Sequence, residues 1–212
     1  MSSPLLHSQA LTITENMTLL DTGEFETAHI TIDPNISLRY IYLGNNLPNR
    51  KRTLSVHSGA KLTGSAIIFG KKSGLQIESE ILGDNAYSQL NLLGIATEKS
   101  DLSITGNAKV EKPYRNTKTR VDQKNILIGH SAKVQGIPRL EIATDDIEGG
   151  HSCRVYRLGG DVIFYLTSRG LSHEHAEQIL LNSEIRSHLN GLDKEEQKLY
   201  CQKVHQALLE KT

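Results

Sequence analysis

Aromatic residues and cysteines are scarce in this chain. It has no tryptophan, 3 phenylalanines, 7 tyrosines and only two cysteines, Cys153 and Cys201. The shortage of aromatics argues against a thick aromatic core and favours a narrow core of small and aliphatic side chains. Two cysteines are too few for a disulfide-dense secreted scaffold. The 24 basic and 24 acidic residues balance, which argues against a domain that binds nucleic acid.

Long hydrophobic runs are also missing. No segment approaches the roughly 18 consecutive apolar residues that a membrane span needs. Residues 1–10 contain no positive cluster ahead of an apolar run, so we predict no signal peptide and a cytoplasmic protein. The phosphate-binding loop, the nucleophile elbow, the zinc-protease motif and the CxxC pattern are absent as well. With 212 residues, the chain can form one or two domains.

Short alternating strands, separated by turn residues, extend almost without interruption from residue 11 to residue 150. Four of them begin at positions separated by multiples of about 24 residues: Ile30, Leu54, Leu102 and Ile126. Such a period, with two short strands per repeat, predicts a mainly β fold, a parallel β-helix over residues 11–160 that follows an N-terminal tail, 1–10. We expect small inward-facing corner residues at Ala60, Ala108 and Ala132. A regularly spaced antiparallel sandwich is the alternative.

The pattern becomes helical after Arg157, and we predict a small helical region over residues 161–212. Ser172 is the expected N-cap of a helix with one face formed by Ala176, Ile179, Leu180 and Ser183, and the helix should end at Asn190–Gly191. Asp193 and Glu196 fit the capping box of a further helix. We expect these helices to pack on the end of the β-helix or on a partner. The basic segments 49–52 and 71–72 are interpreted as solvated loops.

The densest group of potential ligands lies in residues 145–153, which hold three carboxylates, an imidazole and a thiol. In an extended strand, His151 and Cys153 project to the same face. Imidazole and thiolate together suit iron or zinc. Two other interpretations remain open at this point: His151 pairs with Asp145 or Glu148 to fix the end loop, and Cys153 is buried as a small apolar residue.

Three segments resemble the SufB/SufD family of iron–sulfur cluster assembly proteins. Residues 138–151, which read PRLEIATDDIEGGH, resemble the family pattern PxLEIxxDDVxxxH. Residues 164–172, FYLTSRGLS, resemble FYLxSRG[IL]S, and residues 125–128 resemble its NLLL strand. The strong match covers about residues 120–182. The resemblance implies a right-handed parallel β-helix with a C-terminal helical region, in a short form without the family's N-terminal helical domain.

The same resemblance implies a function. The chain would be a non-catalytic scaffold subunit of SUF-type assembly that binds a SufC-type ATPase through its C-terminal helices. It would pair through its last strands with a second copy of itself or with a SufB-like subunit. His151 matches the family histidine and is the expected ligand for iron or a transient iron–sulfur cluster, with Cys153 and Glu148 as hypothetical further ligands and no other cofactor.

The family positions point to the SufD branch. The position of the SufB cluster cysteine falls near Ala132. The glutamate that follows the SufB histidine is replaced here by Ser152, and the cysteine two positions before the histidine in many SufD sequences is replaced by Gly149. A different class of function remains as the alternative: a structural β-helix that assembles into filaments, as bactofilin-like proteins do, with no cluster role. We expect the helical appendage to cap one end and so to oppose filament growth.

Overall fold

The computed structural model describes residues 3–128 and 131–209. This part of the chain forms twelve strands followed by three helices. The strands are β1 Ala10–Ile13, β2 Met17–Asp21, β3 Thr27–Ile32, β4 Ser37–Asn45, β5 Arg50–Val56, β6 Lys61–Phe69, β7 Lys72–Ile81, β8 Tyr87–Ala96, β9 Asp101–Val110, β10 Thr117–Leu127, β11 Lys133–Ile142 and β12 Ile147–Arg157. The helices are α1 Asp161–Ser168, α2 His173–His188 and α3 Lys194–Leu209.

Successive strands alternate between two parallel sheets. One sheet has the order β1-β3-β5-β7-β9-β11, and the other has the order β12-β10-β8-β6-β4-β2. Every strand in them is parallel to its hydrogen-bonded neighbours. The chain therefore returns to the same sheet once per turn, and about 5 turns build a β-solenoid. The predicted parallel β-helix is confirmed, and the antiparallel sandwich is excluded.

The 24-residue period describes the early coils only. Ile30 pairs with Leu54, and Ser37 pairs with Lys61. Later turns are longer, so that Leu102 pairs with Ser73 and Val134, while Ile126 lies in the other sheet. The extension of the period to Leu102 and Ile126 is therefore wrong, because turn insertions change the coil length without disturbing the parallel pairing.

The predicted corner alanines are not equivalent to one another. Ala60 directly precedes β6, Ala132 directly precedes β11, and Ala108 lies within β9. All three are buried, as expected of small residues in a narrow interior. Their shared Ala-Lys sequence thus occurs at different places in the coil, and the equivalent of Ala60 on the next coil is Ala86, which precedes β8.

One of the predicted solvated loops is wrong. Residues 50–56 form strand β5, and the Arg52 side chain is fully buried inside the solenoid. Its guanidinium forms an ion pair with Asp21, with 2.5 Å between Arg52 Nε and Asp21 Oδ2. Lys71 and Lys72 are exposed, as expected. A buried arginine is rare unless it is paired, and the partner of Arg52 lies on an earlier coil.

The helices lie on the flank of the solenoid, not on its end. Strands β4, β6 and β8 carry apolar residues on their outer side, and these pack against apolar residues of the helices. The cluster contains Ile41, Leu43, Ile67, Phe69, Leu93 and Ile95 from the sheet and Leu181, Ile185, Leu189, Cys201 and Val204 from the helical region. The expected packing on the solenoid end is therefore wrong, since the helices cover this apolar stripe instead.

The helix ends follow their local sequence. Ser172 Oγ accepts a hydrogen bond from His175 N, and Glu196 N donates to Asp193 Oδ1 at 2.8 Å. The predicted face of α2 is wrong: Ala176 is buried, but Ile179 is 47% exposed, and the rest of the buried face comprises Leu181, Ile185 and His188. In the described ranges, no helix has both the length and the apolar character needed to cross a membrane.

Candidate ligand site at the end of the solenoid

The C-terminal end of the solenoid is formed by β11 and β12, the last strands of the two sheets. Within the described residues, β11 pairs only with β9, and β12 pairs only with β10. Each strand therefore keeps one unpaired backbone edge. Within that part of the chain, no further coil covers this end, so side chains that continue the interior columns are exposed; Val155, for example, is 53% exposed.

His151 and Cys153 share the inner face of β12. His151 is in register with Val121, and Cys153 is in register with Gln123. Both β10 residues are buried in the interior, so their β12 neighbours lie above them at the mouth of the solenoid. The two residues are nevertheless exposed. The end of the fold thus presents an imidazole and a thiol on one face.

Glu148 lies on the opposite face of β12. Its register partner is Lys118, whose Nζ is 2.8 Å from Glu148 Oε1. Asp145 and Asp146 lie in the exposed bend before β12, as expected of turn-forming residues. Over residues 3–128 and 131–209, no three His, Cys, Asp or Glu side chains come together to hold a metal ion. The fold therefore brings together His151 and Cys153 but separates both from Glu148.

The two alternative interpretations of this segment find no support. The described part of the chain shows no hydrogen bond between His151 and either Asp145 or Glu148. Cys153 is a free and exposed cysteine, whereas Cys201 is the buried one. His151 and Cys153 are therefore accessible to a ligand.

Two buried amides, which no sequence pattern singled out, lie beneath Cys153. Asn125 Nδ2 donates a hydrogen bond to Cys153 Sγ at 3.6 Å, and Gln123 Nε2 donates to Asn125 Oδ1 at 3.2 Å. Partial burial raises the pKa of the Cys153 thiol, and the Asn125 hydrogen bond acts in the opposite direction. The two amides tie the sulfur to the interior of the coil below.

The interior becomes polar in this last part of the solenoid. Thr117, Thr119, Gln123 and Asn125 are all buried core-facing residues of β10. Among the described residues, Thr117 Oγ1, Thr119 Oγ1 and Gln123 Oε1 have no hydrogen-bond partner. The sequence shows that these polar residues occupy alternate positions of one strand. The alternation alone does not tell whether this face of the strand points to the interior or to solvent.

The outer face of β12 is held by polar contacts. Ser152 Oγ donates to Asp122 Oδ1 at 2.6 Å, and Tyr156 OH donates to Glu184 Oε1 of α2 at 3.4 Å. Lys124 Nζ also reaches Glu184, at 2.9 Å from Oε2. Burial and the nearby carboxylate raise the pKa of Tyr156 to about 12, so its hydroxyl stays protonated and donates at neutral pH. These contacts fix the edge strand against β10 and α2.

Helix α1 follows directly and exposes apolar side chains. Phe164 is 74% exposed, and Val162 and Tyr165 are more than half exposed, whereas Ile163 is buried. The helix contains the FYL part of the motif at residues 164–172. The motif is therefore not a core element, and its aromatic side chains are available to a partner.

Residues 55–184 match the family described as SUF system FeS cluster assembly, SufBD core domain. The matched range includes most of the solenoid, the site at its end and the start of the helical region. Because it covers more than half of the chain, this protein belongs to the SufB/SufD family.

Individual relatives agree with this assignment. The chain is 32% identical to the iron–sulfur cluster assembly protein SufD of Escherichia coli over 87 residues, 41% of this chain and 21% of that protein. It is 31% identical over 120 residues to a SufBD family protein of Mycobacterium leprae, 51% of this chain and 31% of that protein. A SufBD family protein of Mycobacterium bovis is 24% identical over 178 residues, 76% of this chain and 44% of that protein. The chain thus spans less than half the length of these relatives.

Proposed function

We propose that this chain is a non-catalytic scaffold subunit of SUF-type iron–sulfur cluster assembly in the cytoplasm. The observation that carries the proposal is the uncovered C-terminal end of the solenoid, where two strand edges are free within the described residues and His151 and Cys153 are exposed. The proposed cargo, a nascent iron–sulfur cluster or iron, is inferred from membership of the family.

The uncovered end is suited to pairing with another solenoid. An unpaired strand edge is a template for β-augmentation, and exposed core-facing residues such as Val155 gain from being covered. A second copy of this chain is the default partner, since closed twofold pairs are the commonest assemblies. A SufB-like subunit is the alternative partner.

The C-terminal helices supply a second surface, which we assign to a SufC-type ATPase. Phe164 and Tyr165 on α1 provide the exposed aromatic area that protein interfaces favour. The ATPase would act on nucleotide, while this chain contributes a rigid body. Movement of the ATPase would then open or close the solenoid pair and change access to the cargo.

His151 and Cys153 are the proposed donors to the cargo. Imidazole and thiolate suit iron and iron–sulfur clusters, and both side chains lie on the face that a paired solenoid would approach. Within residues 3–128 and 131–209, the face carries these two donors, so the partner would complete the coordination. Binding would therefore depend on how the two solenoids are placed.

The test is anaerobic co-purification of the chain with the SufC-type ATPase of the same genome, followed by mass, iron and sulfide measurements. We expect a complex that contains a solenoid pair and iron. Val155→Asp should dissociate the pair, because it places a carboxylate at the apolar contact, whereas Ile179→Asp, at a similarly exposed residue on α2, should not. His151→Ala should keep the complex and lose iron.

Other outcomes decide against parts of the proposal. A complex that retains equal iron in His151→Ala excludes that residue as a ligand. Assemblies much larger than a dimer, without ATPase, would favour the filament alternative. Because the helices do not cap the solenoid end, the expected steric objection to filaments does not apply, and the measured mass must decide.

A further inference from the structure

The amides of Gln123 and Asn125 form a short relay that ends on the sulfur of Cys153. Asn125 is 0% exposed and Gln123 is 1% exposed, so both amides lie inside the solenoid. The relay runs from Gln123 Nε2 to Asn125 Oδ1 and from Asn125 Nδ2 to Cys153 Sγ. Because Gln123 occupies the carbonyl of Asn125, the amide group of Asn125 is held with its N–H donor towards the sulfur.

Two glycines leave the space that these amides occupy. A Cβ at Gly94 of β8 would lie 2.6 Å from Asn125 Oδ1. A Cβ at Gly136 of β11 would lie 2.4 Å from Gln123 Nε2 and 2.7 Å from Asn125 Nδ2. Since both sheets lack a side chain at these points, the coil is shaped around the amides.

The stability of the fold alone does not explain why these amides are buried. Gln123 Oε1 is buried and has no hydrogen-bond partner among the described residues, which costs stability. An apolar residue would avoid this cost, as it does at Leu92, the register partner of Gln123 on the preceding coil. The unpartnered oxygen belongs to the register partner of Cys153, on the coil directly below it.

We propose that Asn125, held by Gln123, is a positioning residue that orients the sulfur of Cys153 towards a thiophilic metal ion at the mouth of the solenoid. Groups that hydrogen-bond to a metal ligand fix its orientation and tune the metal, and their loss typically lowers metal affinity by about 10- to 100-fold. The inference rests on the proposed function only for the nature of the cargo.

The experiment uses Co²⁺ and Cd²⁺ as probes on the full chain with Cys201→Ser as background. We expect a sulfur-to-metal charge-transfer band, which Cys153→Ser abolishes. Asn125→Leu keeps the side-chain shape but removes the donor. It should weaken Cd²⁺ binding by about 10-fold or more and move the Co²⁺ band to lower energy, because the N–H donor stabilises the sulfur lone pairs.

A matched control exists on the outer face of the neighbouring strand. Gln89 Nε2 donates to Asn91 Oδ1 at 3.2 Å, the same bond in a pair that contacts no cysteine. Asn91→Leu should leave both the affinity and the band unchanged. Equal Cd²⁺ affinity and an identical band for Asn125→Leu and Asn91→Leu would overturn the proposal, and so would the absence of a charge-transfer band in the background protein.

A second variant covers the case in which Asn125→Leu does not fold. Gly136→Ala keeps both amides but places a methyl group against them, so it should shift the band and weaken Cd²⁺ binding while circular dichroism stays unchanged. An unshifted band in folded Gly136→Ala would contradict the proposal. The outcomes are independent of the ATPase: a shifted band in a chain that retains no iron would support the positioning role and overturn the proposed cargo.

Discussion

Arg52 is the largest fully buried side chain of the solenoid, and the interior satisfies it completely. Its guanidinium donates to both oxygens of Asp21 and to three backbone carbonyls, among them Phe25 O at 2.9 Å and Lys51 O at 2.8 Å. The hydroxyl of Tyr40 also donates to Asp21 Oδ2. Burial and the Asp21 carboxylate raise the pKa of Tyr40, which keeps this hydroxyl a donor.

We predict that Arg52→Met lowers the free energy of unfolding by about 3–5 kcal/mol, because the Asp21 carboxylate is then buried without its counter-charge. Urea unfolding followed by circular dichroism measures the change. The double variant Asp21→Leu with Arg52→Met should recover much of the loss, since it removes both charges. Arg120→Met, at the exposed pair with Asp122, is the control and should have little effect. A loss no larger than that of the control would contradict the buried-pair account.

Sequence patterns located some of the important residues and missed others for a physical reason. The caps at Ser172 and Asp193 were predictable because each bonds to a backbone N–H three residues further along. Arg52 and Asn125 were not, because Asp21 and Cys153 lie a full coil away. His151 and Cys153 were found together only because strand alternation is itself a local rule.

At the scale of elements, α2 buries a histidine near its C-terminus. His188 is 6% exposed, and its Nδ1–H donates to Glu184 O at 2.9 Å. Burial lowers the pKa of His188 below its usual 6.5. The hydrogen bond to Glu184 partly opposes this effect. The folded protein therefore favours the neutral form of His188.

We predict that stability falls as the pH drops through and below about 6.5. A histidine with a lowered folded pKa binds its proton more readily in the unfolded chain, so the unfolded state carries more protons in this window. The contribution of neutral His188 to stability is thus fully present above the pKa of the histidine in the unfolded chain. It declines as the pH falls towards the pKa of His188 in the folded protein. His188→Gln should flatten this slope in urea unfolding between pH 5 and 8. His205, whose pKa burial also lowers, contributes in the same direction. An unchanged slope in the double variant His188→Gln with His205→Gln would refute the assignment.

The spacing of the strands predicts the type of fold but not the register of every coil. Two strands per coil and the parallel arrangement follow from short alternating segments at a regular spacing, and both are confirmed. The register of later coils could not be predicted from that spacing, because Tyr87 pairs with Lys61 on one side and Lys118 on the other, at different separations. Hydrogen bonding fixes the strands, while turn length between them is free to vary.

At the scale of the whole molecule, the flanking helices cover the outer face of one sheet. The outward residues Ile41, Ile67 and Leu93 of β4, β6 and β8 are fully buried by this contact. Without the helices, this apolar sheet face would be exposed to water and would favour association with other molecules. The helical region is therefore part of the folded body, although it follows the solenoid in sequence.

We predict that Ile185→Asp separates the helices from the sheet. Ile185 is fully buried in the contact, so the change places an unpaired carboxylate there and should cost about 4 kcal/mol or more. Binding of a hydrophobic fluorescent dye should rise as the apolar stripe is exposed, and thermal unfolding should begin at a lower temperature. Ile179→Asp, on the exposed side of the same helix, should leave both unchanged. If Ile185→Asp binds no more dye than Ile179→Asp, the solenoid does not depend on its helices for cover, and the helical region serves its partner alone.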